Sequence, residues 1–283
     1  MARVPIRNTL WIGGGSGAGK TTISRAIAMQ FDLAWYRVDG YAYEHQRRLV
    51  ASGLADDASV DINQRWLETE PRELAREFAE RAELTLPLAL DDLREMDVGI
   101  GVVVEGPQLF PHLIMPHLAG PEFGLWLVAT EQLQRQVFES RIGDPAKFTS
   151  DAARAIELRI ERNRLLNERI RSSAAAHGLT VFEVDGGHDL PAMTERVRDF
   201  FADALLTLPV ADGKQRSRLR QRENDANVRN VRAHLAELGR SGPPSMRVPL
   251  CCECTQAGCA AITGLTPAEH GQLRTAGSLV LVH

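Results

Sequence analysis

One short stretch limits what this chain can fold into more than any other. Residues 14–21 read Gly14-Gly15-Ser16-Gly17-Ala18-Gly19-Lys20-Thr21, which fits G-x-x-x-x-G-K-[ST] without a mismatch. An apolar run, residues 8–13 (NTLWIG), precedes it and predicts a buried strand. Residues 21–31 follow, with Ile23, Ile27 and Ala28 on one face, and predict a helix. A strand–glycine loop–helix unit of this kind builds a cradle for phosphate. Glycines let successive N–H groups converge on anionic oxygens in conformations that a side chain would forbid. The helix N-terminus adds a positive dipole end. Lys20 supplies a point charge for the outer phosphates, and the Thr21 hydroxyl, with Thr22 beside it, is placed near a Mg²⁺ ion. The overlapping G-x-G-x-x-A pattern in GGGSGA is also compatible with a dinucleotide loop. The Lys20-Thr21 pair, and the lack of a clear acidic residue for a ribose, weigh against that reading.

The rest of the chain alternates in the same way. Residues 33–38, 98–104, 124–129 and 179–184 are short apolar runs that predict further strands. Residues 71–96 predict one or two helices with a break or kink at Pro87, and residues 130–141, 151–177 and 190–208 predict three more. Alternating strands and helices give an α/β fold around a mainly parallel sheet. This unit is expected to fill residues 1–208. Composition then shifts to a basic linker over 209–222, which contains KQRSRLRQR, and a cysteine-rich module over 223–283. Within that module residues 224–238 predict a helix and 239–245 a loop.

Charge and hydropathy narrow the function classes. There are 33 Lys and Arg against 37 Asp and Glu, a net charge of −4, which argues against a dedicated nucleic-acid binder. No window of 18 apolar residues exists, so no membrane span is expected. No apolar segment of a signal peptide follows the first residues, so the cytoplasm is the expected location.

In an open parallel sheet, ligands bind beyond the carboxyl ends of the strands. Two carboxylates are expected there. Asp39 closes the second strand in RVDGY, and Glu105 closes the third in VVVEGP. Glu105 ends an apolar run of Walker B type, suited to holding Mg²⁺. Asp39 is placed to orient or deprotonate an incoming hydroxyl. Phosphoryl transfer also needs positive charge near the moving group. Arg141, at the end of a helix beside GDPAKFTS, is the first candidate and Arg135 the second, with Lys147, Arg159 and Arg162 nearby in sequence. Tyr41, Tyr43, Glu44, His45 and Arg48 could line an acceptor pocket, although each taken singly reads as an ordinary helix or loop residue.

All four cysteines lie between positions 251 and 259. Such a cluster points to a metal or redox site rather than a disulfide framework. Cys252, Cys254 and Cys259 offer three thiolates, with His283 or His270 as a fourth ligand for tetrahedral Zn²⁺. A redox thiol cluster and free structural cysteines are the alternatives.

The glycine loop, the Asp-Gly after the second strand, the Glu-Gly after the third and the segment WLVATEQLQRQVFESR together resemble the P-loop nucleoside and nucleotide kinase group. The resemblance covers roughly residues 8–205. It implies a five-stranded parallel sheet in the order 2-3-1-4-5, a P-loop NTPase fold, ATP with Mg²⁺ as donor, a lid, and a small-molecule hydroxyl or phosphate as acceptor. The tail (RENDANVRNVRAHL, CCECTQAGC, LTPAEHGQLR, LVLVH) resembles a small module in which a C-E-C-x4-C run precedes a short helix and a strand ending in His. That resemblance implies Cys252, Cys254, Cys259 and His283 as the zinc set, with Cys251 spare. The expected activity is ATP-dependent phosphoryl transfer. A nucleotide-dependent switch acting on the C-terminal module is the alternative.

Overall fold

A computed structural model describes residues 6–56, 61–96, 99–140, 145–237 and 246–283. Strand β1 (Thr9–Gly14) leads into helix α1 (Lys20–Gln30), then β2 (Ala34–Arg37), α2 (Ala42–Ala51) and α3 (Pro71–Glu95). Next come β3 (Val102–Glu105), a single turn α4 (Pro111–Ile114), β4 (Gly124–Ala129), α5 (Glu131–Ser140), α6 (Ala152–Ala176) and β5 (Thr180–Val184). Helices α7 (Leu190–Phe200) and α8 (Ala202–Thr207) follow, with Phe201 between them where one helix was expected. The five strands form one parallel sheet in the order β2-β3-β1-β4-β5. This is the P-loop fold expected above.

Two-residue alternation along the strands splits the core in two. Leu10, Ile12, Trp35, Val103, Leu125 and Leu127 face α1, α7 and α8. Trp11, Tyr36, Val102, Val104, Trp126 and Val128 face α3 and α6. Both faces are therefore covered, which is why the strands read as unbroken apolar runs. Helix α3 continues through Pro87 rather than breaking there. Ala82, Leu86, Ala89, Leu90 and Leu93 lie in one buried stripe on both sides of the proline, so packing outweighs the one lost hydrogen bond.

Residues 214–222, read from sequence as a basic linker, instead begin a long helix, α9 (Gly213–Glu237). Tertiary partners explain the difference. Arg220 donates to the carbonyl oxygens of Leu33 (2.7 Å) and Ala28 (3.1 Å), and it pairs with Glu223. Glu223 accepts from the Trp35 N–H at 2.8 Å. Helix α9 thus caps the open edge strand β2, whose polar groups would otherwise invite another chain. The loop expected over 239–245 lies outside the described residues. Beyond it, β6 (Val248–Cys251) and β7 (Ile262–Leu265) form an antiparallel pair, followed by α10 (Pro267–Thr275), which opens on a Thr266/Glu269 capping box. The last residues, 278–283, form no strand but return beside the cysteines.

Candidate active site

The glycine loop owes its shape to close backbone approach. Gly14 has φ +123°, and a Cβ there would sit 2.0 Å from the Leu127 carbonyl oxygen. Gly15 N–H donates to that same oxygen at 2.9 Å, which ties the loop to β4. Gly19, at φ +77°, is the N-cap of α1, so the helix points its first turn into the loop. Lys20 is buried and its Nζ donates to Gly15 O at 2.6 Å, curling back over the loop.

The parallel register carries Glu105 to the same level as Ile12 of β1 and Arg37 of β2. Thr21 Oγ1 donates to Glu105 Oε1 at 2.9 Å, so the two residues read as magnesium ligands meet. Glu105 is fully buried, and its Oε2 has no hydrogen-bond partner among the described residues. Asp39 follows β2 and is part-exposed, 3.3 Å from Arg37 Nε. Burial first, and then the Asp39 charge, push the Glu105 carboxyl up to about 7, with Arg37, Lys20 and the Thr21 hydroxyl opposing the shift. A buried acid with an orphaned oxygen beside a threonine hydroxyl is an environment that a divalent cation would relieve.

This shift has a consequence for stability. Folded Glu105 holds its proton more tightly than the unfolded chain, in which a glutamate titrates near about 4.3. Ionising it therefore opposes folding, and the penalty grows as the pH rises from about 4.3 through about 7. Without nucleotide or magnesium, Glu105→Gln should melt close to wild type at pH 5 and above it at pH 8. Thermal melts across that range check this, and a difference that does not grow with pH would contradict the burial account.

A cavity of about 400 Å³ opens over the loop. Lys20, Thr21, Asp39 and Glu105 line it, together with apolar groups from α5, β5 and α7: Leu133, Val137, Val184, Leu190 and Met193. The sheet order places β2 and β5 at opposite edges, so the polar and apolar walls are separated. Its volume lies in the ordinary range for ligand pockets. His188 and Asp189, in the loop after β5, also line it. The sequence reading did not single them out, although their place at the carboxyl edge of a strand was a usable signal.

A second, narrow cleft lies on the other side of the loop and shares Ser16 and Pro107 with the first. Arg162 lines it with Asn163, Asn167, Phe78 and Phe110. The Arg162 guanidinium lies 5.0 Å from the Phe78 ring and 5.5 Å from the Trp66 ring, and no carboxylate pairs with it among the described residues. Burial, reinforced by Arg159 and Arg65, pushes it down to about 9. Asn163 Nδ2 and Asn167 Oδ1 are buried without hydrogen-bond partners among the described residues.

The other candidates go elsewhere. Arg135 forms a bidentate pair with Glu157 of α6 and does not line the large cavity. Arg141 lies outside the described residues. Tyr41 stacks on Tyr36 at 4.8 Å, Tyr43 Oη lies 2.8 Å from His234 Nδ1, and His45 and Arg48 both bind Asp92 of α3. These contacts pack α2 against α3 and α9. Lys147 donates to Glu139 O at 2.5 Å.

At the C-terminal end, Cys252, Cys254, Cys259 and His283 each offer one ligand atom, and these atoms lie within 4.8 Å of one another. A tetrahedral zinc with Zn–S bonds of about 2.3 Å sets its sulfurs roughly 3.8 Å apart, so the cluster fits with little adjustment. Burial, and behind it the neighbouring Cys259 and Cys252, push the Cys254 thiol up to about 11. A cation would overcome that resistance to ionisation. Glu253, between the first two of these cysteines, is the hub of the fold here: it accepts from Asn224 of α9 (2.7 Å), Arg274 of α10 (2.9 Å) and Val280 N–H (3.0 Å). The last of these bonds brings the terminal segment, and with it His283, to the thiols. His270 instead sits 3.2 Å from Asp225, and Cys251 stands outside the cluster.

No protein-family model and no curated protein matches the chain. Among solved structures it is similar to a shikimate kinase from Bacteroides thetaiotaomicron, with 15% identity over 69% of this chain and 98% of that one, at a TM-score of 0.40. It is also similar to a shikimate kinase from Acinetobacter baumannii in complex with shikimate, with 15% identity over 71% of this chain and 96% of that one, at a TM-score of 0.38.

Proposed function

We propose that this chain is an ATP-dependent kinase that phosphorylates a small molecule bearing its own anionic group, and that its C-terminal cysteine cluster holds a structural Zn²⁺. The observation that carries the first part is the meeting of Lys20, Thr21, Glu105 and Asp39 at one end of the large cavity. The apolar wall from α5, β5 and α7 suits a base, and the glycine loop suits a triphosphate. On this reading the Gly15–Thr22 backbone and Lys20 hold the phosphates, with the Lys20 ammonium moving from Gly15 O onto an outer phosphate oxygen. Thr21 and Glu105 would hold Mg²⁺, which when bound neutralises charge on the phosphates. Asp39 orients the acceptor hydroxyl and takes its proton as the new phosphorus–oxygen bond forms and the bond from the γ-phosphorus to the departing ADP oxygen breaks. Arg141, the residue after Ser140 in the sequence, is proposed to neutralise charge on the transferred group. Arg135 would have to leave Glu157 to do the same.

Arg162 supports the acceptor class. An arginine buried among aromatic rings with no carboxylate partner among the described residues is unfavourable, and a ligand carboxylate or phosphate would compensate it. No helix among the described residues is long and apolar enough to cross a membrane.

The test is Mg·ATP turnover with a deproteinised bacterial metabolite extract, read by mass spectrometry. A new anionic species heavier by one phosphoryl group, absent with Lys20→Ala, is the expected result. ADP formation unchanged by the extract would favour the nucleotide switch instead. For the zinc, the chain purified under reducing conditions should carry one zinc, released by an organomercurial and read with a metal dye. Cys254→Ser should lose it and melt lower, each kcal/mol lost being worth roughly 2–4 °C. Stoichiometric thiols with no zinc would refute the site.

A further inference from the structure

We infer that Arg37 is a positioning residue for Asp39 and Glu105, and that Asn227 of α9 holds it there, so that the C-terminal part of the chain completes the active site. The inference rests on the reading above that these two carboxylates serve phosphoryl transfer.

Three contacts converge on one guanidinium. Register places Arg37 directly beside Glu105 on the neighbouring strand. Its Nε lies 3.3 Å from Asp39 Oδ1 and 3.5 Å from Glu105 Oε1. Its Nη1 donates to Asn227 Oδ1 at 3.0 Å. Two acids this close repel one another, and a shared arginine opposes that repulsion and fixes the gap between them. An arginine with only those partners would still have freedom to swing about its long stem. Asn227 removes that freedom by binding the far side of the fork.

Asn227 is itself held. Its Nδ2 donates to Pro249 O of β6 at 3.1 Å. One helical turn earlier, Glu223 caps the Trp35 N–H, so the same face of α9 grips β2 at two points. Further back, Arg216 pairs with Asp32 and donates to Thr255 O at 2.5 Å, and Gly258 N–H donates to Asp32 Oδ1 at 3.0 Å. The cysteine loop therefore rests on the turn between α1 and β2. These two elements carry Lys20 and Arg37. The cysteine loop is thereby tied to the turn from which the chain enters the strand that carries Arg37.

The two ends of the Asn227 amide separate positioning from plain packing. Asn227→Ala removes both bonds. Asn227→Asp keeps an oxygen for Arg37 but loses the donor to Pro249. Rates and KM for Mg·ATP would be measured on full-length variants, with melting temperatures alongside. Loss of a group that orients a site residue commonly costs 10–100-fold. Asn227→Ala should lower kcat by about 10-fold and leave KM for ATP within about two-fold. Arg37→Ala should lower kcat by roughly 100-fold, and adding Asn227→Ala to it should change little more, because both act through one contact. Asn227→Asp should recover most of kcat while melting lower than wild type. Wild-type kcat in Asn227→Ala, or a loss that Asp does not recover and that follows melting temperature, would overturn the inference alone. A wild-type chain no more active than Lys20→Ala would overturn the kinase reading and the inference with it.

Discussion

Lys20→Ala is expected to lower Mg·ATP turnover by about 10³-fold or more. The side chain is buried, and its ammonium lies at 2.6 Å from Gly15 O, within the loop that would wrap the phosphates. Among the described residues, no other lysine or arginine lines the large cavity. Alanine is a good helix former and sits at the first residue of α1, so the fold should survive. A second consequence runs through Glu105. Lys20 is one of the charges that oppose the rise of its carboxyl, so the variant should hold that proton more tightly still. Lys20→Arg should not rescue, since a planar fork cannot replace a compact ammonium inside a tight backbone turn. Nucleotide binding by a fluorescent ADP analogue, measured with turnover, checks the claim. Binding and rate near wild type would remove Lys20 from the site.

Asp39→Asn should reduce kcat by about 10²–10⁴-fold, the usual worth of a positioned general base, while ATP binding changes little. The amide keeps an oxygen for Arg37 Nε, now at 3.3 Å, so the geometry around Glu105 should hold. It cannot take a proton. Removing the negative charge also relieves one cause of the raised Glu105 carboxyl, which leaves more of that group ionised at neutral pH. The loss should therefore appear in kcat rather than in KM for ATP, which separates proton acceptance from nucleotide binding. A variant with full turnover would show that Asp39 neither takes the proton nor aligns the acceptor. The melting temperature should stay close to that of wild type, since Asp39 is part-exposed.

Much of this was legible in the residues themselves. The glycine loop was legible in eight consecutive residues, where the positive φ of Gly19 and the charge of Lys20 are local, whereas the close approach of Gly14 to the Leu127 carbonyl is a tertiary contact. The strands were legible because a sheet covered on both faces requires unbroken apolar runs such as GLWLVA, although of the run expected over 98–104 only Val102–Val104 belongs to β3, which ends at Glu105, and Val98 lies outside the described residues. Asp39 and Glu105 could be read from their places at strand ends. The cysteine cluster could be read from its spacing and His283 from the resemblance of the tail, while the contact that draws the terminal segment to the thiols, Val280 N–H on Glu253, is tertiary.

Other features had no local signature. Residues 214–222 looked like a solvated basic stretch, yet Arg216 and Arg220 are buried against Asp32 and the Leu33 carbonyl, nearly two hundred positions away, and Arg220 also against the nearby Glu223. Arg162 reads as one of many helical arginines until Trp66 and Phe78 close around it. Tyr43 and His45 lie close to Asp39 in sequence but point into helix packing. The division follows from range. Backbone sterics and strand periodicity act between near neighbours and are written in the sequence. Which charge meets which partner is decided by elements far apart in the chain. Only the folded sheet, with α9 laid along its β2 edge, brings Arg37, Asp39, Glu105 and Asn227 to one place.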